Sequence, residues 1–236
     1  MESSSETDRV LVIMAKAPRP GAVKTRLTPG LPPQVVTAFY RCLLDDTLTL
    51  ARSLGALEIA IMCPEADVDA LALLAGPEVR VVAQRGEGLA AGLTSVFAHF
   101  AKGSQRRIIA FNSDSPHLPS AILEEAFAAL ATHDIVVGPT YDGGYYLVGA
   151  KNSHPALFTD HGMGTGSALE QLLGRTRVLE LSVSCLDPFY DIDVVEDLFR
   201  LAAELERAPD RAPRTAVWLR DWGETLTRLR TGTEDL

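Results

Sequence analysis

Short apolar runs alternate with longer stretches of helical periodicity along most of the chain. This alternation is the strongest constraint on what it can fold into. Val10-Leu11-Val12-Ile13-Met14 has no polar face, as expected of a strand covered on both sides. Pro32-Pro33 then open a stretch reaching about residue 54, with Val36, Phe39, Leu43, Leu44, Thr47 and Leu50 at helical spacing. Further strands are predicted at 57–62, 79–83, 107–111, 135–138, 145–148 and 177–181. Helices are predicted at 67–74, 89–100, 121–130, 167–173 and 194–206. Strand–helix repetition of this kind builds a mostly parallel sheet covered on both faces. Residues 1–8 read as a polar, acidic tail and 9–206 as one α/β domain. Residues 207–215 read as a connector, leading to a last helix within 207–236 that carries Trp218, Leu219, Trp222, Leu226 and Leu229 and docks on the domain.

The first strand runs into a cationic loop, Ala15-Lys16-Ala17-Pro18-Arg19-Pro20-Gly21-Ala22-Val23-Lys24-Thr25-Arg26-Leu27. Between Arg9 and Leu44 there are six cations and no acid, while the rest of the chain carries a net −15. A small basic island on an acidic protein suits a local anionic ligand, and the carboxyl end of a strand is where open α/β sheets bind theirs. The loop is therefore read as a phosphate site, with Pro and Gly stiffening and shaping it. The alternative is a solvated loop whose cations have no ligand.

An overall net charge of −9 argues against duplex nucleic acid, which needs a broad basic face. Cys42, Cys63 and Cys185 are scattered, with neither metal spacing nor a secreted disulfide pattern. The polar first residues do not resemble a signal peptide, and no apolar run approaches the ~18 residues that would span a membrane. A reducing cytoplasm is the expected setting.

Three carboxylate motifs stand out. Asn112-Ser113-Asp114-Ser115-Pro116 follows a strand, where Asp114 is well placed to hold a divalent cation bridging phosphates. The plain alternative is an Asp turn before a helix. Hard oxygen ligands would favour Mg²⁺ or Mn²⁺. In Asp142-Gly143-Gly144-Tyr145-Tyr146, Asp-Gly is a hairpin signal, yet two glycines also admit a ligand to the backbone, and Asp142 could contact or deprotonate a substrate hydroxyl. Asp193 with Glu196 makes a capping box compatible with Asp193 as a metal ligand. Gly162-Met163-Gly164-Thr165-Gly166-Ser167 is neither a Rossmann nor a Walker loop. His161, which opens it, is the histidine most open to a functional role. No Gly-x-Ser-x-Gly elbow is present.

Taken in order, the basic loop, Ser113-Asp114-Ser115-Pro116-His117-Leu118-Pro119, Gly138-Pro139-Thr140-Tyr141-Asp142-Gly143-Gly144-Tyr145-Tyr146-Leu147-Val148-Gly149 and Asp191-Ile192-Asp193 resemble the DUF2064 family over about residues 9–200. The resemblance implies a Rossmann-like three-layer α/β/α domain of the nucleotide-diphospho-sugar transferase, GT-A type. It also implies a nucleotide-bearing donor and Mg²⁺ or Mn²⁺. Two loops depart from it. Gly86-Glu87-Gly88-Leu89-Ala90-Ala91-Gly92 lacks the Arg of the usual Gly-Asp-Leu-Gly-x-Arg-Met, and Gly162-Met163-Gly164-Thr165 replaces a Trp-Gly-Thr pattern.

The expected protein is a metal-dependent glycosyltransferase using a nucleotide sugar and a small-molecule acceptor. Lys16, Gly21, Lys24 and Arg26 would serve the donor phosphates, Asp114 and Asp193 the metal, and Asp142, flanked by Gly143 and Gly144, the acceptor. A nucleotidyltransferase that joins an NTP to a sugar phosphate is the close rival, its short loops resembling the 2-phospholactate guanylyltransferases. A non-catalytic nucleotide-binding module is the third reading. Pairing with a second copy as a homodimer stays open.

Overall fold

The computed structural model describes residues 8–102, 106–159 and 166–226. Residues 1–7 of the tail, the 162–165 part of the glycine-rich loop with His161, and Leu229 lie outside the described residues, whereas Asp8 is described and its carbonyl accepts the Arg107 N–H at 2.6 Å. The chain gathers into two compact units. One holds residues up to Ala17 together with Ala51–Asn112 and Pro119–Tyr190. The other holds Pro18–Leu50, Ser113–Leu118 and the residues from Asp191 on.

The first unit contains a seven-stranded sheet of β1 (Arg9–Met14), β2 (Glu58–Cys63), β3 (Arg80–Ala83), β4 (Arg107–Asn112), β5 (Ile135–Pro139), β6 (Tyr145–Ala150) and β7 (Val183–Cys185). Their order is β3-β2-β1-β4-β6-β5-β7, and the same unit holds the helices α2 (Val68–Ala75), α3 (Gly88–Phe100), α4 (Ser120–Ala129) and α5 (Ala168–Val178). Every pairing is parallel except those of β6, which runs antiparallel to both β4 and β5. The exception was legible in Asp142-Gly143: β5 and β6 form a hairpin whose turn closes with Thr140 N–H donating to the Gly144 carbonyl at 3.0 Å. Val10, Leu11, Val12 and Ile13 are all fully buried, so both faces of β1 are covered, as its unbroken apolar run requires. Alternate residues Val10, Val12, Ile108 and Ala110 meet Leu93, Val96, Phe97 and Phe100 of α3 (Gly88–Phe100) in one core, where Phe97 stacks on Phe158 at 5.4 Å.

The second unit takes most of α1 (Pro33–Ser53), and α6 (Val195–Arg207) and α7 (Pro213–Asp221). Phe39 of α1 packs on Trp218 of α7 at 4.6 Å, and Trp218 stacks on Trp222. α7 begins inside the segment read as a connector, with Pro213 in its first turn. Its first N–H groups have a remote partner: buried Asp46 accepts from Arg214 N at 3.1 Å and Thr215 N at 2.7 Å.

One predicted strand is wrong. Residues 177–181 do not form a strand; the helix Ala168–Val178 runs into them, and the strand is Val183–Cys185. Arg175 and Arg177 suit a helix C-terminus. The apolar pair that suggested a strand, Val178 and Leu179, is exposed, and Glu180 at φ 54° turns the chain out of the helix.

Candidate active site

Pro18, Pro20 and Gly21 (φ 76°) shape the loop after β1, and a turn closes where Ala22 N–H donates to the Arg19 carbonyl at 3.1 Å. Buried Val23, Leu27 and Leu31 anchor it. Lys24 itself is left-handed, at φ 47° and ψ 43°, immediately before a single 3-10 turn, Thr25–Leu27. A residue with a β-carbon costs about 1–2 kcal/mol in this conformation. Leu27 N–H bonds back to its carbonyl at 2.9 Å.

This backbone buries the Lys24 ammonium. Its side chain is 6% exposed, with Nζ 2.9 Å from Asp114 Oδ2 and 3.6 Å from Asp193 Oδ1. Arg26, on the exposed side of the same turn, donates to Asp193 Oδ2 at 2.6 Å. Burial works against the charge on Lys24. Asp114, by charge and hydrogen bond, then Asp193 and Asp191 outweigh it, so the Lys24 pKa stands above its ordinary 10.5. The ammonium is therefore fully charged at neutral pH.

Both acids are held from behind. Asp114 lies two residues past β4 on a segment tied to α1, where Tyr40 Oη and Ser113 Oγ are 3.2 Å apart and the Thr47 hydroxyl donates to the Ser113 carbonyl at 3.4 Å. Ile192 N–H donates to the Asp114 carbonyl at 3.0 Å, joining the two acidic segments. The expected capping box is corrected here. Asp197, not Asp193 with Glu196, caps α6: its carboxylate accepts Asp193 N and Val194 N, each at 2.9 Å. The Asp193 carboxylate thereby faces Lys24 and Arg26 instead of a helix end.

The remaining sequence-predicted residues take other places. Gly21 belongs to the Lys24 loop. Lys16, exposed, belongs to the first unit, as do Asp142, Gly143 and Gly144. Asp142 Oδ1 accepts from Thr140 Oγ1 at 2.5 Å and from Gly144 N at 3.1 Å, so the carboxylate shapes its own hairpin. Gly143 is required sterically. Its φ is +86°, and a β-carbon there would collide with the Gly166 carbonyl. A cleft of about 380 Å³ along α3, lined among others by Met62, Val82, Thr94, Ser95 and Phe158, includes none of the predicted site residues.

Sequence reasoning missed the supporting residues. Asp197 had a readable signal, an acid three residues into a helix after its cap. Tyr40, Thr47 and Ser113 had none, because nothing in the local sequence marks a hydroxyl that meets another segment more than sixty residues away. Asp67, whose Oδ2 accepts the Ala17 N–H at 2.9 Å at the start of the loop, was equally silent.

Two carboxylate oxygens on one buried cation are a suitable donor pair for a hard divalent ion. Among the described residues no group of three or more His, Cys, Asp or Glu side chains could hold one. Further oxygens would have to come from a ligand or from water.

A family model described as an uncharacterized protein conserved in bacteria (DUF2064) matches residues 47–165, just over half of the chain. A search of curated proteins finds no match. Among solved structures, a candidate nucleotide-diphospho-sugar transferase from Desulfovibrio desulfuricans G20 aligns over 94% of this chain and 98% of its own, at 26% identity and a TM-score of 0.86. A nucleotidyl transferase from Methanothermobacter thermautotroptrophicus aligns over 85% and 98% at 18% identity and a TM-score of 0.57. A 4-diphosphocytidyl-2C-methyl-D-erythritol synthase from Anaerococcus prevotii aligns over 84% and 96% at 12% identity and a TM-score of 0.55. The last two share the fold. The architecture is that of the nucleotide-diphospho-sugar transferases. No helix among the described residues is long and apolar enough to cross a membrane.

Proposed function

The chain belongs to the DUF2064 family, and on that footing we propose that it is a transferase acting on a nucleotide-bearing donor, moving a sugar from a nucleoside-diphosphate sugar to a small hydroxyl-bearing acceptor. The observation that carries this reading is the convergence of Lys24, Arg26, Asp114 and Asp193 within ion-pair distance.

Sugar transfer breaks the bond between the sugar carbon and the diphosphate oxygen, so negative charge gathers on the departing nucleoside diphosphate. Catalysis needs positive charge at that place. Lys24 supplies it from a turn that holds its backbone beside the acid pair, on a side chain only 6% exposed and so little screened by solvent. Arg26, 66% exposed, can take phosphate oxygens bidentately. Asp114 and Asp193 are the residues that would hold Mg²⁺ or Mn²⁺. Such an ion supplies additional neutralisation of the diphosphate. Asp197, Tyr40 and Thr47 keep the carboxylates in place. Asp142 has a turn-forming job, and no catalytic role is assigned to it.

The similarity to a candidate nucleotide-diphospho-sugar transferase favours a nucleotide sugar as donor. A second reading, nucleotidyl transfer from an NTP to a sugar phosphate, is favoured by the fold shared with a nucleotidyl transferase. The same cations would then serve a departing pyrophosphate. The test is product analysis with Mn²⁺ present. Release of nucleoside diphosphate from nucleotide sugars supports sugar transfer. Pyrophosphate release from an NTP with sugar 1-phosphates supports the second reading. Neither product across a full donor panel overturns both.

A further inference from the structure

The place where a divalent ion would sit already contains a cation. Lys24 Nζ contacts Asp114 at 2.9 Å and Asp193 at 3.6 Å, and its side chain is 6% exposed. A buried ammonium and a divalent ion cannot share these two carboxylates, because like charges a few ångströms apart with little water between them repel strongly. Arg26, 2.6 Å from Asp193, adds a second positive charge on the same acid. The Lys24 backbone is fixed by its turn. The four-carbon stem can still rotate, so the ammonium can move without unfolding the loop.

We infer that Lys24 is the resident cation of the Asp114–Asp193 pair, and that a divalent ion enters only when the ammonium turns away to a donor phosphate. This rests on the transferase reading and adds a rule to it: metal and donor bind as a coupled pair, each weakly alone. The coupling is a free energy shared between the two ligands, so each must tighten the other by the same factor. The ammonium also protects the pair. Without donor, the site takes divalent ions only weakly, and the two carboxylates stay neutralised.

The test is Mn²⁺ binding followed by the electron paramagnetic resonance of the free ion, with no donor and no turnover. Wild type, Lys24→Gln, Lys24→Ala and the double variant Lys24→Gln/Asp114→Asn are compared, each checked for a native circular-dichroism spectrum and melting transition. The expected result is weak binding by wild type, binding at least tenfold tighter by whichever Lys24 variant folds, and loss of that gain in the double variant. Equal Mn²⁺ affinity in wild type and the Lys24 variants overturns the inference and leaves the transferase reading standing. Absence of Mn²⁺ binding in every variant, together with no melting shift from any nucleotide sugar or NTP, overturns both.

Discussion

Buried His117 should make the fold acid-sensitive. It lies fully buried in the short Ser113–Leu118 segment that also carries Asp114. Burial, reinforced by the positive charges of Arg211 and Arg200, pushes its pKa from 6.5 down to about 3. The ring is neutral in the folded protein through most of the acid range, whereas the unfolded chain takes up a proton below 6.5. The stability tied to neutral His117 is therefore complete above pH 6.5 and is lost as pH falls from 6.5 towards 3. At about 1.4 kcal/mol per pH unit, the loss relative to pH 8 is about 2 kcal/mol at pH 5 and about 3 kcal/mol at pH 4. The ceiling, reached below pH 3, is about 5 kcal/mol. Burial also raises the Asp46 pKa and lowers that of His99, so the His117 contribution is read as the difference between wild type and variant, in which theirs cancel. The assay is urea denaturation at pH 8, 6.5 and 5 of wild type, His117→Gln and His117→Leu. Wild type should lose about 2 kcal/mol more than the variants between pH 8 and 5. Ring NMR of His117 in the wild type should show no titration over the same window, which keeps the test usable if a variant folds poorly. An equal loss in all three proteins, or a His117 ring that titrates near 6.5, refutes the reasoning.

Replacing Asp46 with Ala removes the acceptor for the first N–H groups of α7 and should cost about 1–2 kcal/mol, read by thermal melting and by the fluorescence of Trp218 and Trp222; an unchanged melt would show that water caps the helix equally well. Gly143→Ala should destabilise by more than about 1 kcal/mol, since it is strained at positive φ and collides with the Gly166 carbonyl; a neutral result would mean that the hairpin tip yields freely. Lys24→Ala should weaken nucleotide binding by a factor that changes little with salt, because the ammonium is buried, whereas the loss in Arg26→Ala should shrink as salt rises. Titrations at low and high ionic strength distinguish the two, and equal salt dependence would contradict the assigned burial.

Much of the architecture was legible because it rests on local pattern. The two-sided apolar run of β1, the helical spacing of α1 and α3, and the Asp-Gly turn between β5 and β6 each state their element in a few residues. The stretch around Val178 misled because an apolar pair at a helix C-terminus looks like the start of a strand until Glu180 turns the chain. The basic loop and the acids at 114 and 193 were legible as charges, since charge and position relative to a strand are visible in sequence. Their mutual pairing was not, because it depends on a left-handed Lys24 and on Asp197 taking the helix cap that the sequence offered to Asp193. Asp46 was illegible for a similar reason: its partners lie 168 and 169 residues away.

The central claim is that Lys24, Arg26 and the Asp114–Asp193 pair handle one diphosphate together with a divalent ion. Its most direct measurement is calorimetric titration of nucleotide sugars and NTPs into wild type and Asp114→Asn, with Mn²⁺ and with chelator. The account predicts at least one nucleotide that binds wild type with Mn²⁺ and loses most of its affinity both in chelator and in Asp114→Asn. A nucleotide bound equally tightly in all of these conditions, or none bound in any, would contradict it.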